Sequence, residues 1–262
     1  MAAIDRSQLR NKLLRRFPDD AFNLLAPNLK AVEIPAGRPL VEAGTPIEYI
    51  HFIESGLAST VARSVDGKSV EVGQVGYEGL TGHVVLLGSD RSLSDTSMYI
   101  RGAGLQMAVY RFLSLLNHPK ARLMLLRYVQ TCELQFAHSA LAAAKYSLDQ
   151  RLARWLLMCH DRLGGHRLPV THEFIASMLG VRRSGVTDHL HVLEGLQAIK
   201  STRGVVQILD RRILIETAGG CYGAPEAEYE RLIGQEPAEE DIGTTRRADV
   251  GHTKRGRVVG TN

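Results

Sequence analysis

A chain of 262 residues with 44% apolar and 23% charged residues holds enough apolar material for one large or two ordinary cores and lacks the composition of a disordered protein. No apolar run approaches the roughly 18 residues of a membrane span, and Met1-Ala2-Ala3-Ile4-Asp5-Arg6 meets charge before building a signal-peptide core, so a membrane-spanning chain is excluded and a cytoplasmic location is expected. The net charge of +4 and pI near 9.0 hint at an anionic partner, and the excess is concentrated: Arg151 to Arg212 carries ten Lys or Arg against five Asp or Glu.

The chain opens with a short amphipathic helix expected around Gln8 to Phe17. Short apolar runs punctuated by glycine and proline then predict strands at Leu29 to Ile34, Tyr49 to Ile53, Leu57 to Ser64, Ser69 to Val75, Thr96 to Ile100 and Leu105 to Val109. Many short strands without intervening helices predict an antiparallel barrel or sandwich. Asp66-Gly67 between two alternating runs is a strong hairpin signal.

From Pro119 to Lys145 no glycine interrupts and Leu, Ala, Arg, Gln and Glu dominate, which predicts one long helix with proline at its first position. Leu125, Val129, Cys132 and Phe136 continue through Ser139 and Ala143 as a stripe spaced four, three, four, three, four. That stripe is either a seam between two subunits or the face that lies on the helix's own barrel; the expectation is the seam, and with it self-association. A second helix follows, opened by the capping-box pattern Ser147-Leu148-Asp149-Gln150 and closed by Gly164-Gly165, and Leu168-Pro169-Val170 is an extended link.

Thr171 to Leu193 carries the chemistry. Thr171 is placed to cap a helix whose inward face is Ile175, Met178 and Leu179; Ala176 is small at the crossing, Gly180 supplies a left-handed turn, and Val186, Leu190 and Leu193 restart the period. This pattern is a helix-turn-helix, and it leaves Arg182, Arg183, Ser184, Thr187 and Asp188 on the exposed start of the second helix, the part that enters a major groove. Two arginines there oppose the helix dipole, so an anionic ligand is expected to offset them; arginine also pairs with guanine O6 and N7. Ala198 to Leu209 then reads as strand, turn and strand, a wing whose Lys200, Ser201 and Arg203 meet the phosphate backbone of double-stranded DNA.

With these residues on the page, the order of β-rich domain, long helix and winged helix-turn-helix resembles the Crp/Fnr family of bacterial transcription regulators. The resemblance spans about Leu24 to Tyr222 and is strongest from Gln150-Arg151-Leu152-Ala153-Arg154-Trp155 through Arg211-Arg212. It implies an α+β fold: a jelly-roll, cyclic-nucleotide-binding-like β-barrel sensor over 1–110, a dimerisation helix over 111–146 and a winged helix-turn-helix domain over 147–222. It further implies a homodimer on a two-fold operator and a contact with RNA polymerase. By position Arg183 matches a base-reading arginine and Thr171 a phosphate-contacting residue, whereas Ser184 and Asp188 stand where an acid and an arginine are common, Arg182 replaces a Ser or Thr cap, and His189 replaces a small or aliphatic inward residue.

The sensor motif is weaker. Gly76, Glu78 and Gly79 resemble the start of the family's phosphate-and-ribose cassette, and Arg91 is the candidate cation for an effector pocket, but it lies thirteen residues after Glu78 and is followed by Asp95. Cyclic nucleotide is therefore not expected. Cys132, Cys159 and Cys221 are scattered and none precedes position 132, which fits neither disulfides nor an iron–sulfur cluster and predicts buried thiols; His51, His83 and His118 are isolated and read as surface or core residues rather than haem ligands. No cofactor and no metal site are expected. After Tyr222 an acidic block and a basic one, 246–257, contain few large apolar residues and predict a disordered, solvated tail over 223–262. The alternative to a regulator is an enzyme or a small-molecule-gated adaptor whose basic half binds an acidic ligand; the absence of Walker A, Gly-x-Ser-x-Gly, His-Glu-x-x-His and Cys-x-x-Cys patterns speaks against catalysis.

Overall fold

The computed structural model describes residues 4–234. The opening segment is broken where one helix was expected. A 3-10 turn at Arg6–Gln8 precedes two short helices, α1 (Lys12–Arg15) and α2 (Asp19–Leu25). Pro18 biases the residue before it away from helical backbone, so no helix runs through Phe17. Asn11 also anchors the segment, because its side chain caps α1 and donates to the carbonyls of Ile53 and Gly79, both at 2.8 Å.

Seven strands follow: β1 (Lys30–Ile34), β2 (Pro39–Val41), β3 (Tyr49–Ile53), β4 (Leu57–Arg63), β5 (Ser69–Val75), β6 (Ser94–Ile100) and β7 (Gly102–Ala108). They form two antiparallel sheets, β1-β7-β3 and β2-β6-β4-β5. The arrangement is jelly-roll-like and not a closed barrel. Ile34 and Ile53 of the first sheet meet Leu40, Ala58, Val75 and Met98 of the second in one buried cluster. The β4–β5 hairpin turns at Asp66-Gly67, with Gly67 at φ +83°.

A short helix α3 (Val109–Leu113) and a 3-10 turn lead into α4 (Pro119–Lys145), which has Pro119 at its start and the His118 side chain accepting from Ala121 N. Here the expected subunit seam is corrected. Leu125, Val129 and Cys132 are buried in the core of their own amino-terminal domain, together with Phe52, Leu80 and Met107, and Phe136 lies over Gly73 of β5 and beside His83. The stripe is apolar because it covers the chain's own sheet, a demand that produces the same spacing as a coiled coil.

The carboxy-terminal domain comprises α5 (Leu148–Leu163), β8 (Arg167–Leu168), α6 (His172–Leu179), α7 (Arg183–Gly195), β9 (Ile199–Thr202), β10 (Val205–Ile208) and α8 (Arg211–Ala218), with its small sheet ordered β8-β10-β9. Its core, built on Trp155, Leu156, Ile175, Leu190 and Val206, also takes in Leu57 from β4. The two domains are joined by polar contacts as well. The Trp155 indole donates to Glu71 on β5 at 2.7 Å, Gln74 donates to the same carboxylate at 2.9 Å, and burial pushes that carboxyl up. Tyr99 of β6 stacks on Phe174 of α6.

The expected disordered tail does not begin at 223. Ala224–Leu232 forms a further helix, α9, with Pro225 in its first turn and Glu226 returning to the Gly223 N–H at 3.1 Å. Tyr229 and Ile233 supply the apolar anchor, buried in the core of the amino-terminal domain. Residues from 235 onward, including the basic block, lie outside those described. All three cysteines are buried thiols, and burial pushes Cys132 up to about 12. No helix among the described residues is long and apolar enough to cross a membrane.

Candidate nucleic-acid interface

The helix-turn-helix is built from local rules. The Thr171 hydroxyl accepts from Phe174 N at 3.1 Å and starts α6. Gly180 adopts φ +65°, where a side chain would be strained, and Val181 N donates back to Ala176 O at 3.0 Å. Ile175 and Ala176 from α6 meet Val186, Leu190 and Leu193 from α7 in a closed core. The remaining face of α7 is solvent-exposed at Arg182, Arg183, Ser184 and Asp188, with Thr187 half-buried between them.

Arg182 occupies the N-cap position of α7, and no side chain caps the helix. Free first-turn N–H groups and two arginines thus point outward together, an arrangement that favours an anion. Arg183 has only a loose partner, Glu173 at 3.9 Å, with both side chains largely exposed. The wing turns tightly at Arg203-Gly204, between Thr202 of β9 and Val205 of β10. Lys200 and Arg203 are exposed, and Ser201 is half-buried.

One residue that sequence reasoning missed holds these parts together. His172 Nδ1 lies 2.9 Å from Thr187 Oγ1 on α7, and its Nε2 lies 3.0 Å from Ser201 Oγ on the wing. Thr187 donates onward to Arg183 O at 3.2 Å. A neutral imidazole completes this chain, with Nδ1–H donating to Thr187 and Nε2 accepting from Ser201. Burial lowers the His172 pKa, as do the Arg183 and His191 charges nearby. Glu194 adds a second clamp by accepting from Ser201 N at 2.6 Å. His189 faces α5, bonding Asp149, which explains a polar residue at an inward position. His191 was also missed; it is exposed four residues after Thr187 and so shares its face, a signal that the helical period did carry.

The expected effector pocket is not assembled. Glu78 turns to Gly76 N at 3.0 Å and to Arg162 of α5 at 2.8 Å. A Cβ on Gly79 would run into the Tyr128 ring from α4. Arg91 is exposed and paired with its neighbour Asp90. Spacing had already separated Arg91 from the cassette, and Arg162 of α5 and Tyr128 of α4 pack directly against Gly76 and Gly79. A different cavity of about 220 Å³ opens between β4, β6 and α4, lined by Thr60, Ser92, Thr96, His83, Glu133 and Phe136. Burial pushes the His83 imidazole down to about 4, and its Nε2 and the Thr81 hydroxyl are buried without hydrogen-bond partners among the described residues. His51 is likewise buried and pushed down to about 4, whereas His118 bonds Asp20 at 2.7 Å.

Residues 150–217 match the family of Crp-like helix-turn-helix domains. Among solved structures, the chain is similar to a putative Crp/Fnr-family transcriptional regulator from Eubacterium rectale (18% identity, 79% of this chain and 97% of that one, TM-score 0.59). It is similar also to the c-di-GMP-responsive global regulator CLP of Xanthomonas campestris (17% identity, 73% and 99%, TM-score 0.59) and to FixK2 of Bradyrhizobium japonicum (12% identity, 73% and 98%, TM-score 0.62). Among curated proteins none matches the sequence. At these identities the structural likeness speaks for the fold and the matched domain speaks for the helix-turn-helix. Residues 150–217 thus form a Crp-like helix-turn-helix domain, and the chain as a whole shares its fold with solved Crp/Fnr-family regulators.

Proposed function

We propose that the chain is a transcription regulator of the Crp/Fnr type and works as a cytoplasmic, non-catalytic homodimer on a two-fold DNA operator. Each α7 enters a major groove with Arg183 reading a base edge, Thr171, Lys200, Ser201 and Arg203 hold the phosphates, and a surface of the bound dimer meets RNA polymerase. The observation that carries the reading is the outward face of α7: two arginines at an uncapped helix start, without close acidic partners, beside a cationic wing. That face favours duplex DNA over the acidic small ligand of an adaptor, because its charges are spread over a convex helix and a hairpin and not gathered in a cleft.

For pairing, α4 offers the side that its own sensor leaves open. Leu126 and Leu141 are each 43% exposed there, with Ala137, Ala140 and Ala144 exposed on the same side of the helix. Two-fold pairing through this face would deliver two α7 helices to successive major grooves. Effector control through the β-sandwich completes the proposal, and the pairing of the exposed Arg91 with Asp90 supports a ligand other than a cyclic nucleotide.

The test is titration of duplex fragments at several salt concentrations with competitor DNA. A regulator shows a steep salt slope and keeps selected fragments against competitor. Equal affinity for every fragment, or no salt dependence, would remove the reading.

A further inference from the structure

The seam between the two domains holds a carboxyl group with no cation of its own. Glu71 on β5 forms no ion pair among the described residues. Its Oε1 accepts from the Trp155 indole at 2.7 Å and from the Gln74 amide at 2.9 Å, and its Oε2 lies 2.5 Å from the Ser59 hydroxyl. Ser59, Gln74 and Trp155 are themselves buried. The charged and titratable groups that bear on Glu71 come from α5. Arg162 is already engaged by Glu78 at 2.8 Å, the buried Arg154 donates to Ser139 at 3.2 Å, and the Cys159 thiol is pushed up by burial and by Glu71. Strands β4 and β5 bring only the uncharged Ser59 and Gln74, and α6 adds Met178 behind Ser59.

Ser59 has one hydroxyl hydrogen and two acceptors within reach: Glu71 Oε2, and Met178 Sδ at 3.3 Å on the first helix of the helix-turn-helix. An ionised Glu71 takes that hydrogen. When a proton from solvent settles on Oε2, the new O–H donates to Ser59 Oγ and the Ser59 hydroxyl turns to Met178, while Trp155 and Gln74 go on donating to Oε1. Both states are hydrogen-bonded throughout, and they differ in charge. The buried anion without a paired cation is the costlier state, and burial pushes the Glu71 carboxyl above its ordinary range. Parting the domains returns the carboxyl to water and removes that cost, so docking takes up a proton. The contribution of Glu71 to docking is complete below its ordinary value of 4.5 and is lost as pH rises through the raised one.

We propose that Glu71 is a proton-operated latch between the amino-terminal domain and the helix-turn-helix, closed when protonated, with the Ser59 hydroxyl passing the change to Met178 of α6. An effect of the latch on DNA binding rests on the regulator reading, whereas the proton site itself does not.

Trp155 is the only tryptophan of the chain, so its fluorescence reads the site directly. On the full chain, a titration from about pH 4.5 to 8.5 gives a transition in which emission shifts to the red as pH rises and the indole gains water. Glu71→Gln, which keeps an acceptor for Trp155 but cannot ionise, abolishes that transition. Ser59→Ala moves its midpoint up by about half to one pH unit, because the anion loses a charge-assisted bond and the acid only a neutral one; this variant serves if the first does not fold. No transition in the natural sequence, a change of intensity without a red shift, the same transition in Glu71→Gln, or an unmoved midpoint in Ser59→Ala overturns the latch. Affinity for a selected duplex, measured on either side of the midpoint, changes at least about threefold in the natural sequence and stays level in Glu71→Gln. Parallel pH profiles in the two proteins overturn the coupling alone, and an intact Trp155 transition with no DNA binding at any pH overturns the regulator reading instead.

Discussion

Replacing His172 by alanine tests whether the recognition helix and the wing act as one unit. The substitution deletes two neutral hydrogen bonds, at 2.9 and 3.0 Å, each worth about 0.5 to 1.5 kcal/mol net. Thr187 keeps its bond to Arg183 O and Ser201 keeps its backbone bond to Glu194, and both hydroxyls are near enough to solvent for water to replace the imidazole. The core beneath, Ile175 and Val186, is untouched. The expected stability loss is therefore about 1 kcal/mol, while the link from α7 to the wing is cut. Loss of wing placement costs about 1 to 2 kcal/mol of DNA binding, which is roughly five- to thirtyfold in Kd, and lowers the salt slope because Lys200 and Arg203 no longer reach phosphates together. Fluorescence anisotropy on a selected duplex across a salt series reads both quantities, with thermal unfolding as the parallel measurement. His172→Gln, which can still bond one of the two hydroxyls, restores part of the affinity. A lowered Tm with unchanged affinity and slope would refute the reasoning and leave His172 as a fold-stabilising residue only.

Arg183→Ala should cost about 1 to 3 kcal/mol on the selected site and relax preference at one base pair per half-site; an equal loss on random duplex would make it a phosphate contact. Lys200→Ala and Arg203→Ala should each weaken all sequences alike and reduce the salt slope by about one, and an unchanged slope would place the wing off the DNA. Leu141→Glu, on the open face of α4, should shift sedimentation toward monomer with little change in Tm, whereas a persistent dimer would move the interface elsewhere. His51 is buried neutral, its pKa pushed from 6.5 down to about 4 by burial and by Arg38. Native stability is thus complete above about pH 6.5 and falls as pH drops toward 4, by about 3 kcal/mol at most from this group. In His51→Leu the loss between those pH values should shrink, and an unaltered pH profile would show that His51 is not the group responsible.

Local signals in the chain were legible wherever one residue type has one structural use. Asp66-Gly67 marked the β4–β5 hairpin, the run from Pro119 to Lys145 marked α4, and Ser147 with Gln150 marked the start of α5 through a capping box that the structure contains. Thr171 and Gly180 marked the helix-turn-helix for the same reason. Signals with two uses failed. Leu125, Val129 and Cys132 repeat as a coiled-coil seam would, yet they repeat because a helix on a sheet needs the same stripe. Gly76 and Gly79 look like a phosphate cassette, but Arg162 and Tyr128 pack where their side chains would be. Other features were illegible because they join distant positions: His172 to Ser201, Trp155 to Glu71, Tyr229 to Glu78. The helix α9 was missed because its local composition is polar and its stability comes from Tyr229 and Ile233 entering a core made of residues far earlier in the chain, between Leu9 and Cys132.

The central claim, that the arginine-bearing start of α7 reads a two-fold DNA site, is tested most directly by selecting bound duplexes from a random pool and repeating the selection with Arg183→Ala. The account predicts an inverted repeat with half-sites about one helical turn apart, and loss of the same base preference from both half-sites in the variant. Recovery of no common sequence, or of an identical repeat with Arg183→Ala, would contradict it.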